Sequence, residues 1–299
     1  MRIGLYTLAT DESMPFHLVA QEAEQRGFDI LFTGEHSHIP VGAKVWSGGD
    51  VSPIYRHVLD PFAAIASAAT MTSRIKLGTA ICLLALHDPI RLAKLVATVD
   101  WISQGRFVFG IGYGYIEREM TNHGIEHNAR KDILRDKLRA MQQLWTDEVV
   151  TYRGPYASFL DVEQYPKPFK RTRPPILLGA KLRGETIRDM IELCDGWLPT
   201  AMMGGEHLAE DIARFKLEWI EAGRDVNSVE ITVLHTGKTG AERREENWGA
   251  SQVTEEIVNA YDRAGVTTLC VPLPPKGSRE VYLRNLDEYV NVFKKQLRA

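Results

Sequence analysis

Four short stretches of this chain carry side chains or backbone that could do chemistry. The first is Thr33-Gly34-Glu35-His36, an acid beside a histidine. Histidine titrates near neutral pH, so such a pair suits proton transfer. A loop histidine without a role is the competing reading. The second is Gly110-Ile111-Gly112-Tyr113-Gly114-Tyr115. Alternate glycines allow a tight turn that exposes backbone N–H groups to an anion or a ring edge. Its spacing is not that of a dinucleotide-binding G-x-G-x-x-G fingerprint. The third is Gly179-Ala180-Lys181-Leu182-Arg183-Gly184. Small residues and two cations running into a helix start favour a phosphate, through backbone donors, helix dipole and side-chain charge. A solvated basic turn explains the same residues. The fourth, Leu77-Gly78-Thr79-Ala80-Ile81-Cys82, has small residues that let a planar ring approach the backbone, or that simply fit a tapering core.

These stretches gain weight from the elements around them. Short β-rich runs at Ile3–Tyr6, Phe28–Phe32, Ile75–Ile81, Arg106–Gly110, Pro175–Leu178, Gly196–Pro199, Val229–His235 and Thr267–Val271 alternate with helical periodicity. Helices are expected from Pro15 to before Gly27, over Pro61–Met71, from Pro89 to before Gly105, and over Asn128–Trp145, Glu185–Cys194, Glu206–Ala222 and Gln252–Ala264. A last helix carries Leu286, Val290, Phe293 and Leu297 on one face. Eight β/α units favour a closed (β/α)8 barrel over an open sheet. All four stretches then follow strands, at the end of the barrel where catalysis sits in this architecture. The polar stretch from Thr146 to Pro174 contains Pro155, Pro166, Pro168 and Pro174. It is too long and breaker-rich for an ordinary connection and predicts an insertion into a single barrel domain spanning 1–299.

Composition narrows the function classes. The 299 residues are 44% hydrophobic and 25% charged, enough for a full core, and the net charge of −3 gives no footprint for nucleic acid. No apolar run reaches the ~18 residues of a membrane span, and the N-terminus lacks a signal-peptide core. Cys82, Cys194 and Cys270 are odd in number and far apart, as expected of reduced thiols in the cytoplasm rather than a disulfide framework or zinc site. His36 and His38 form a His-x-His pair, but it follows the second strand. A metallohydrolase barrel would place it after the first, where Thr7-Leu8-Ala9-Thr10 offers no ligand. No metal site is expected.

The stretch LGTAICLLALHDPIRLAKLVATVDWISQGRFVFGIGYGY resembles the most diagnostic part of the luciferase-like monooxygenase superfamily. The matching residues are Leu77-Gly78-Thr79, Pro89, Ala93-Lys94, Ala97-Thr98, Asp100, Ser103, Gly105-Arg106 and Gly110 to Gly114. Further matches are Glu35-His36, Arg130 to Asp136, Pro175 to Gly179 and Asp195-Gly196-Trp197, in order along nearly the whole chain. The loop Ser37–Leu59, with Ile39-Pro40 and Asp60-Pro61, is most similar to the F420-dependent oxidoreductase branch.

The resemblance implies a bound deazaflavin, F420, with FMN as the alternative, and hydride transfer to or from a small-molecule substrate. An FMN-dependent monooxygenase and a non-catalytic flavin-binding barrel are the competing functions; a metal-dependent hydrolase is a weaker one. It further implies that His36, assisted by Glu35, is the general acid/base facing the ring. The Ala80–Ile81 bond should be a non-prolyl cis peptide behind the ring. Gly112, Tyr113 and Gly114 should border the cofactor side chain. Gly179, Ala180 and Lys181 should hold the phosphate, helped by Arg183, with Arg188 as either a further contact or a surface cation. The family's usual Trp after the third glycine is Tyr115 here. Sugar-phosphate-oxidising relatives carry a Glu near that position, which argues against that substrate class; the Tyr115 phenol can itself donate a proton. Trp46, Tyr55 and Trp248 are candidate lid aromatics in the loops Ser37–Leu59 and Thr236–Gly249. Relatives are commonly dimers, so a homodimer is implied.

Overall fold

Aspartate followed by proline opens two of the helices that surround the barrel. Proline at the first helical position costs no hydrogen bond there, and a preceding Asp caps the free N–H groups. Asp60 accepts from Ala63 N–H at 2.8 Å to start α2 (Pro61–Met71), and Asp88 accepts from Arg91 N–H at 2.8 Å to start α3 (Pro89–Ile102). Helix α1 (Phe16–Gln25) ends where Gly27 takes a left-handed φ of 84°. The computed structural model describes residues 1–45, 48–169, 172–200, 207–235 and 253–297. Trp46, Trp248 and the loop Thr236–Gly249 lie wholly outside them.

The strands are β1 (Arg2–Tyr6), β2 (Ile30–Thr33), β3 (Lys76–Thr79), β4 (Phe107–Gly112), β5 (Val149–Arg153), β6 (Ser158–Glu163), β7 (Ile176–Gly179), β8 (Gly196–Trp197), β9 (Glu230–Leu234) and β10 (Thr268–Pro272). Eight of them close a barrel in the order β1-β10-β9-β8-β7-β4-β3-β2, every pairing parallel. This is the (β/α)8 barrel that the alternating pattern predicts. The remaining helices are α4 (Glu117–Asn122), α5 (Arg130–Thr146), α6 (Gly184–Leu193), α7 (Leu208–Glu221), α8 (Glu255–Ala264) and α9 (Arg279–Val292). No helix among the described residues is long and apolar enough to cross a membrane.

Two elements depart from the expected pattern. Helix α4 is six residues long with acids in its first turn and no apolar period to announce it. The stretch from 146 to 174 holds an antiparallel β5–β6 hairpin outside the barrel sheet. Its turn closes over the buried Asp136 carboxylate, which accepts from the Tyr152 hydroxyl and from the N–H groups of Tyr156 and Ala157, each at 2.8 Å. Gly154 is needed there, because a Cβ would stand 2.0 Å from Asp136 Oδ1.

Inside the barrel, Ile30, Phe32, Val108, Leu177, Leu198, Leu234 and Cys270 pack as one cluster, with Tyr6, Ala80 and Ile81 against it. Large and small residues alternate around it: a Cβ on Gly78 would lie 2.4 Å from the Phe32 ring, so the glycine makes room for the aromatic. Much of the diagnostic α3 segment also proves to be scaffold. Asp100 accepts from Phe169 N–H at 2.8 Å, Lys94 donates to the Tyr165 carbonyl, and Arg106 donates to the carbonyls of Ala69, Thr72, Ile75 and Ser103. The three cysteines are buried and unpaired.

Candidate active site at the barrel mouth

Strands β2, β3, β4 and β7 are neighbours in the barrel, so their C-terminal ends bring the four chemical stretches to one rim. Strand β3 stops at Thr79, two residues earlier than its composition suggests, and the Ala80–Ile81 peptide that follows is cis. The Ile81 side chain fills the space over the two neighbouring strand ends. A Cβ on Gly112 would stand 1.9 Å from Ile81 Cδ1, and one on Gly179 would stand 2.8 Å from its Cγ2. Glycine is therefore required at the ends of β4 and β7 by close approach. Gly114 is required by conformation as well: its φ is 77°, and a Cβ would meet Met120 Cε at 2.1 Å.

His36 projects from the loop after β2 and is almost wholly enclosed, its side chain 6% exposed. Its Nδ1 lies 2.9 Å from Oε2 of Glu119 on α4, which is 2% exposed. The ring sits edge-on to Tyr55 at 5.0 Å and to Tyr115 at 5.8 Å between centroids. Tyr55 is held there because it packs, with Tyr115, on a small core that Ala43 and Val51 of the loop form with Ile116. Burial opposes charge on Glu119. Hydrogen bonding and charge from His36, with N–H donation from Ser37 and His38, outweigh it and hold the carboxyl below its ordinary range. An ionised Glu119 accepts the Nδ1–H of His36, which leaves Nε2 as the basic nitrogen of the neutral ring.

Glu35 goes elsewhere. The expected Glu35–His36 pair does not form: Glu35 Oε1 lies 2.7 Å from His87 Nε2, and Oε2 accepts from Leu83 N–H at 2.6 Å. Burial again disfavours its charge, but donation from His87, Leu83 and the Cys82 thiol keeps the carboxyl below its ordinary value. Glu35 thus fastens the segment after the Ala80–Ile81 bond. Lys137 of α5 fastens it from the other side, donating to the carbonyls of Ala85 at 2.8 Å and His87 at 2.7 Å. Glu35, Cys82 and His87 do place ligand atoms within 4.8 Å of one another, and hydrogen bonds among them occupy those atoms.

Tyr113 also turns away from the rim. Its hydroxyl donates to Asp189 of α6, Lys131 lies over its ring at 5.6 Å, and burial and then Asp189 push its pKa well up. Only its backbone can border a ligand at the mouth.

The stretch Gly179–Gly184 leads from β7 into α6, as its residues suggest. Buried Trp197 donates to the Ala180 carbonyl at 2.7 Å, and Thr186 accepts from Arg183 N–H at 2.9 Å while donating to the Lys181 carbonyl at 2.7 Å. These bonds fix the turn while the Lys181 and Arg183 side chains stay exposed. A Cβ on Gly184 would meet nothing within 4 Å, so the start of α6 is open to an approaching group. Arg188 is exposed and lies 3.3 Å from its own helix carbonyl at Gly184, as a surface cation does.

Glu119 and Ser37 went unread in the sequence, although Glu119 lies just four residues past the glycine turn. A short helix without apolar spacing gives no reason to place an acid opposite His36.

The profile of the luciferase-like monooxygenase family matches residues 15–268. The chain belongs to that family. An uncharacterised protein of Mycobacterium tuberculosis is 35% identical over 230 residues, covering 75% of this chain and 80% of that one. The F420-dependent glucose-6-phosphate dehydrogenase of Kineococcus radiotolerans is 28% identical over 240 residues, covering 78% of this chain and 66% of that one. Among solved structures, the monooxygenase RslO1 of Streptomyces bottropensis superposes with a TM-score of 0.76 at 21% identity, over 99% of each chain. Luciferase-like proteins of this kind are oxidoreductases and monooxygenases whose members use F420 or FMN.

Proposed function

We propose that this barrel is an F420-dependent oxidoreductase that moves a hydride between the deazaflavin and a small organic substrate, with His36 as the general acid/base. The observation that carries the reading is the enclosed His36–Glu119 pair at the mouth of the barrel, 2.9 Å apart and flanked by two tyrosines. The similarity to an F420-dependent dehydrogenase supports the choice of cofactor.

The residues present fit such a cofactor. Exposed Lys181 and Arg183, with the open start of α6, suit a phosphate, and Gly179 and Ala180 let it approach the backbone. Ala80, Ile81, Gly112 and Gly114 supply the small, apolar rim on which a ring would rest. When bound, the deazaflavin supplies or accepts the hydride. His36 gives or takes the accompanying proton at Nε2, while the Glu119 carboxylate steadies the imidazolium that this creates. Tyr115 and Tyr55 hold the imidazole plane and screen it from water. In the same reading, residues 1–299 form one luciferase-like barrel domain, with the 146–174 stretch inserted into it.

Titration of the purified protein with F420 and FMN separately, in both oxidation states, tests this. Binding of F420 and hydride transfer without oxygen uptake are expected. Preferential binding of FMN, with oxygen consumed during turnover, would overturn the reading in favour of a monooxygenase.

A further inference from the structure

The polar groups behind His36 do not end at Glu119. The Ser37 hydroxyl lies 3.2 Å from Glu119 Oε1 and donates to it in the resting arrangement. The same hydroxyl lies 2.7 Å from His123 Nε2 and 2.9 Å from His38 Nδ1. His38 Nε2 in turn lies 2.8 Å from Asn122 Nδ2, a donor. That donor fixes the neutral His38 ring with its proton on Nδ1, directed at Ser37. The path that can reverse direction is therefore the one through His123. The chain begins at a side chain that is 6% exposed and passes a carboxylate that is 2% exposed. It reaches solvent at Ser37 and at His123, which is exposed at the end of α4.

We propose that Glu119, Ser37 and His123 form a proton relay between His36 and solvent, with His123 as its outer terminus. This rests on the proposed redox function, because two-electron oxidation or reduction of a neutral organic substrate moves one proton with each hydride. Because the His36 side chain is enclosed, that proton needs a route to solvent.

In the releasing direction, a proton arriving at His36 Nε2 makes the imidazolium that Glu119 steadies; its Nδ1 proton then passes transiently to Glu119 Oε2, a carboxyl otherwise held ionised. A half-turn of the carboxyl presents that proton to Ser37 Oγ. For this step the Ser37 hydroxyl has turned from Glu119 to His123, whose Nε2 is unprotonated; Ser37 takes up the carboxyl proton while its own passes to Nε2, and His123 gives up its Nδ1 proton to water. One proton enters at His36 Nε2 and one leaves from His123 Nδ1; both rings end as their Nε2–H tautomers and must return to Nδ1–H before the next passage. Running the steps backwards supplies a proton for reduction. Glu119 and Ser37 are positioned for this by one local fact: the Ser37 N–H also donates to Glu119 Oε1, at 2.9 Å, which keeps the loop and α4 in register.

The test compares wild type with His123→Ala, His123→Gln and Ser37→Ala, measuring turnover in H2O and D2O. For His123→Ala the relay predicts kcat lower by about tenfold, less than the loss of the general acid or base itself would cost. KM should be unchanged, the solvent isotope effect larger, and kcat restored by added imidazole. His123→Gln should lose as much and resist rescue, because the amide fills the space and cannot take up and give off a proton. Wild-type kcat and isotope effect in both His123 variants would overturn the proposal, as would a loss that imidazole does not restore. If neither F420 nor FMN binds, the functional reading fails by itself. The relay is then judged on ligand-free protein labelled with 15N-histidine: exchange of the His36 Nδ1 proton with water should slow by about tenfold in Ser37→Ala, and unchanged exchange would overturn it.

Discussion

His36 and Glu119 are 83 positions apart, yet Nδ1 of one lies 2.9 Å from Oε2 of the other. The pair exists because α4 follows β4 directly and the loop after β2 crosses back over it. A buried carboxylate behind an imidazole fixes its tautomer. Glu119→Gln keeps an acceptor at the same place but removes the charge. We expect kcat to fall by about 100-fold, with cofactor affinity changed by less than about twofold. Steady-state kinetics beside a cofactor titration check this. Wild-type kcat in the variant would show that Glu119 serves structure alone.

Glu35 yields a different outcome, because it fastens backbone and does not face His36. Its carboxyl is held below its ordinary value of 4.5, against burial, by His87, Leu83 and Cys82. A group whose pKa is lower folded than unfolded stabilises the fold above its unfolded pKa, and loses that contribution as pH falls through the folded value. The stability gap between wild type and Glu35→Gln should thus be widest near neutral pH, about 3 kcal/mol for a broken buried pair. It should shrink as the pH falls below about 4.5. Chemical denaturation at several pH values measures it. A gap that is the same at all of them would show that the carboxylate charge contributes nothing.

The barrel was legible because its units carry local signals: apolar β-rich runs, and in some units a capped helix start, as at Asp60 and Asp88, or a glycine stop, as at Gly27. The placement of His36, Gly112 and Lys181 after strands followed from that alone. The Glu35–His36 pairing was misread because adjacency along a chain says little about which way two side chains point. Successive residues on extended backbone face opposite sides, and here one turns to His87 and the other to Glu119. The Tyr113 side chain likewise points elsewhere, to Asp189. Glu119 was hidden because a single exposed-looking helical turn has no periodicity from which burial can be inferred. The β5–β6 hairpin was recognisable only as a breaker-rich interruption, since the Asp136 that anchors it comes from a helix already accounted for by its apolar face.

Lys181, Arg183 and Arg188 separate a phosphate site from a merely basic surface. All three are exposed cations near the start of α6, but Lys181 and Arg183 lie in the turn itself and Arg188 lies further along the helix. Replacing either of the first two by Ala should weaken F420 binding by about tenfold, the loss of one charge-assisted contact. Arg188→Ala should leave affinity within about twofold, as removal of a solvated charge does. Raising the salt concentration should shrink the first effect. Equal losses from all three variants would point to a general field and against a built phosphate turn.

Gly112 offers the most direct test of the geometry at the mouth. A methyl group there would stand 1.9 Å from Ile81 Cδ1 and 3.2 Å from its Cγ1, so Ile81 must move. In the proposed function both residues border the ring of the cofactor. Gly112→Ala should therefore destabilise the protein by about 1–3 kcal/mol, as overpacking does, and weaken cofactor binding. The double variant Gly112→Ala with Ile81→Ala removes the atoms in conflict. Its loss of stability should be smaller than the sum of the two single losses by about 1 kcal/mol or more, the signature of residues in contact. Strictly additive losses in denaturant unfolding would mean that Ile81 does not occupy the space over Gly112, and with that the shape proposed for the ring's resting place would fail.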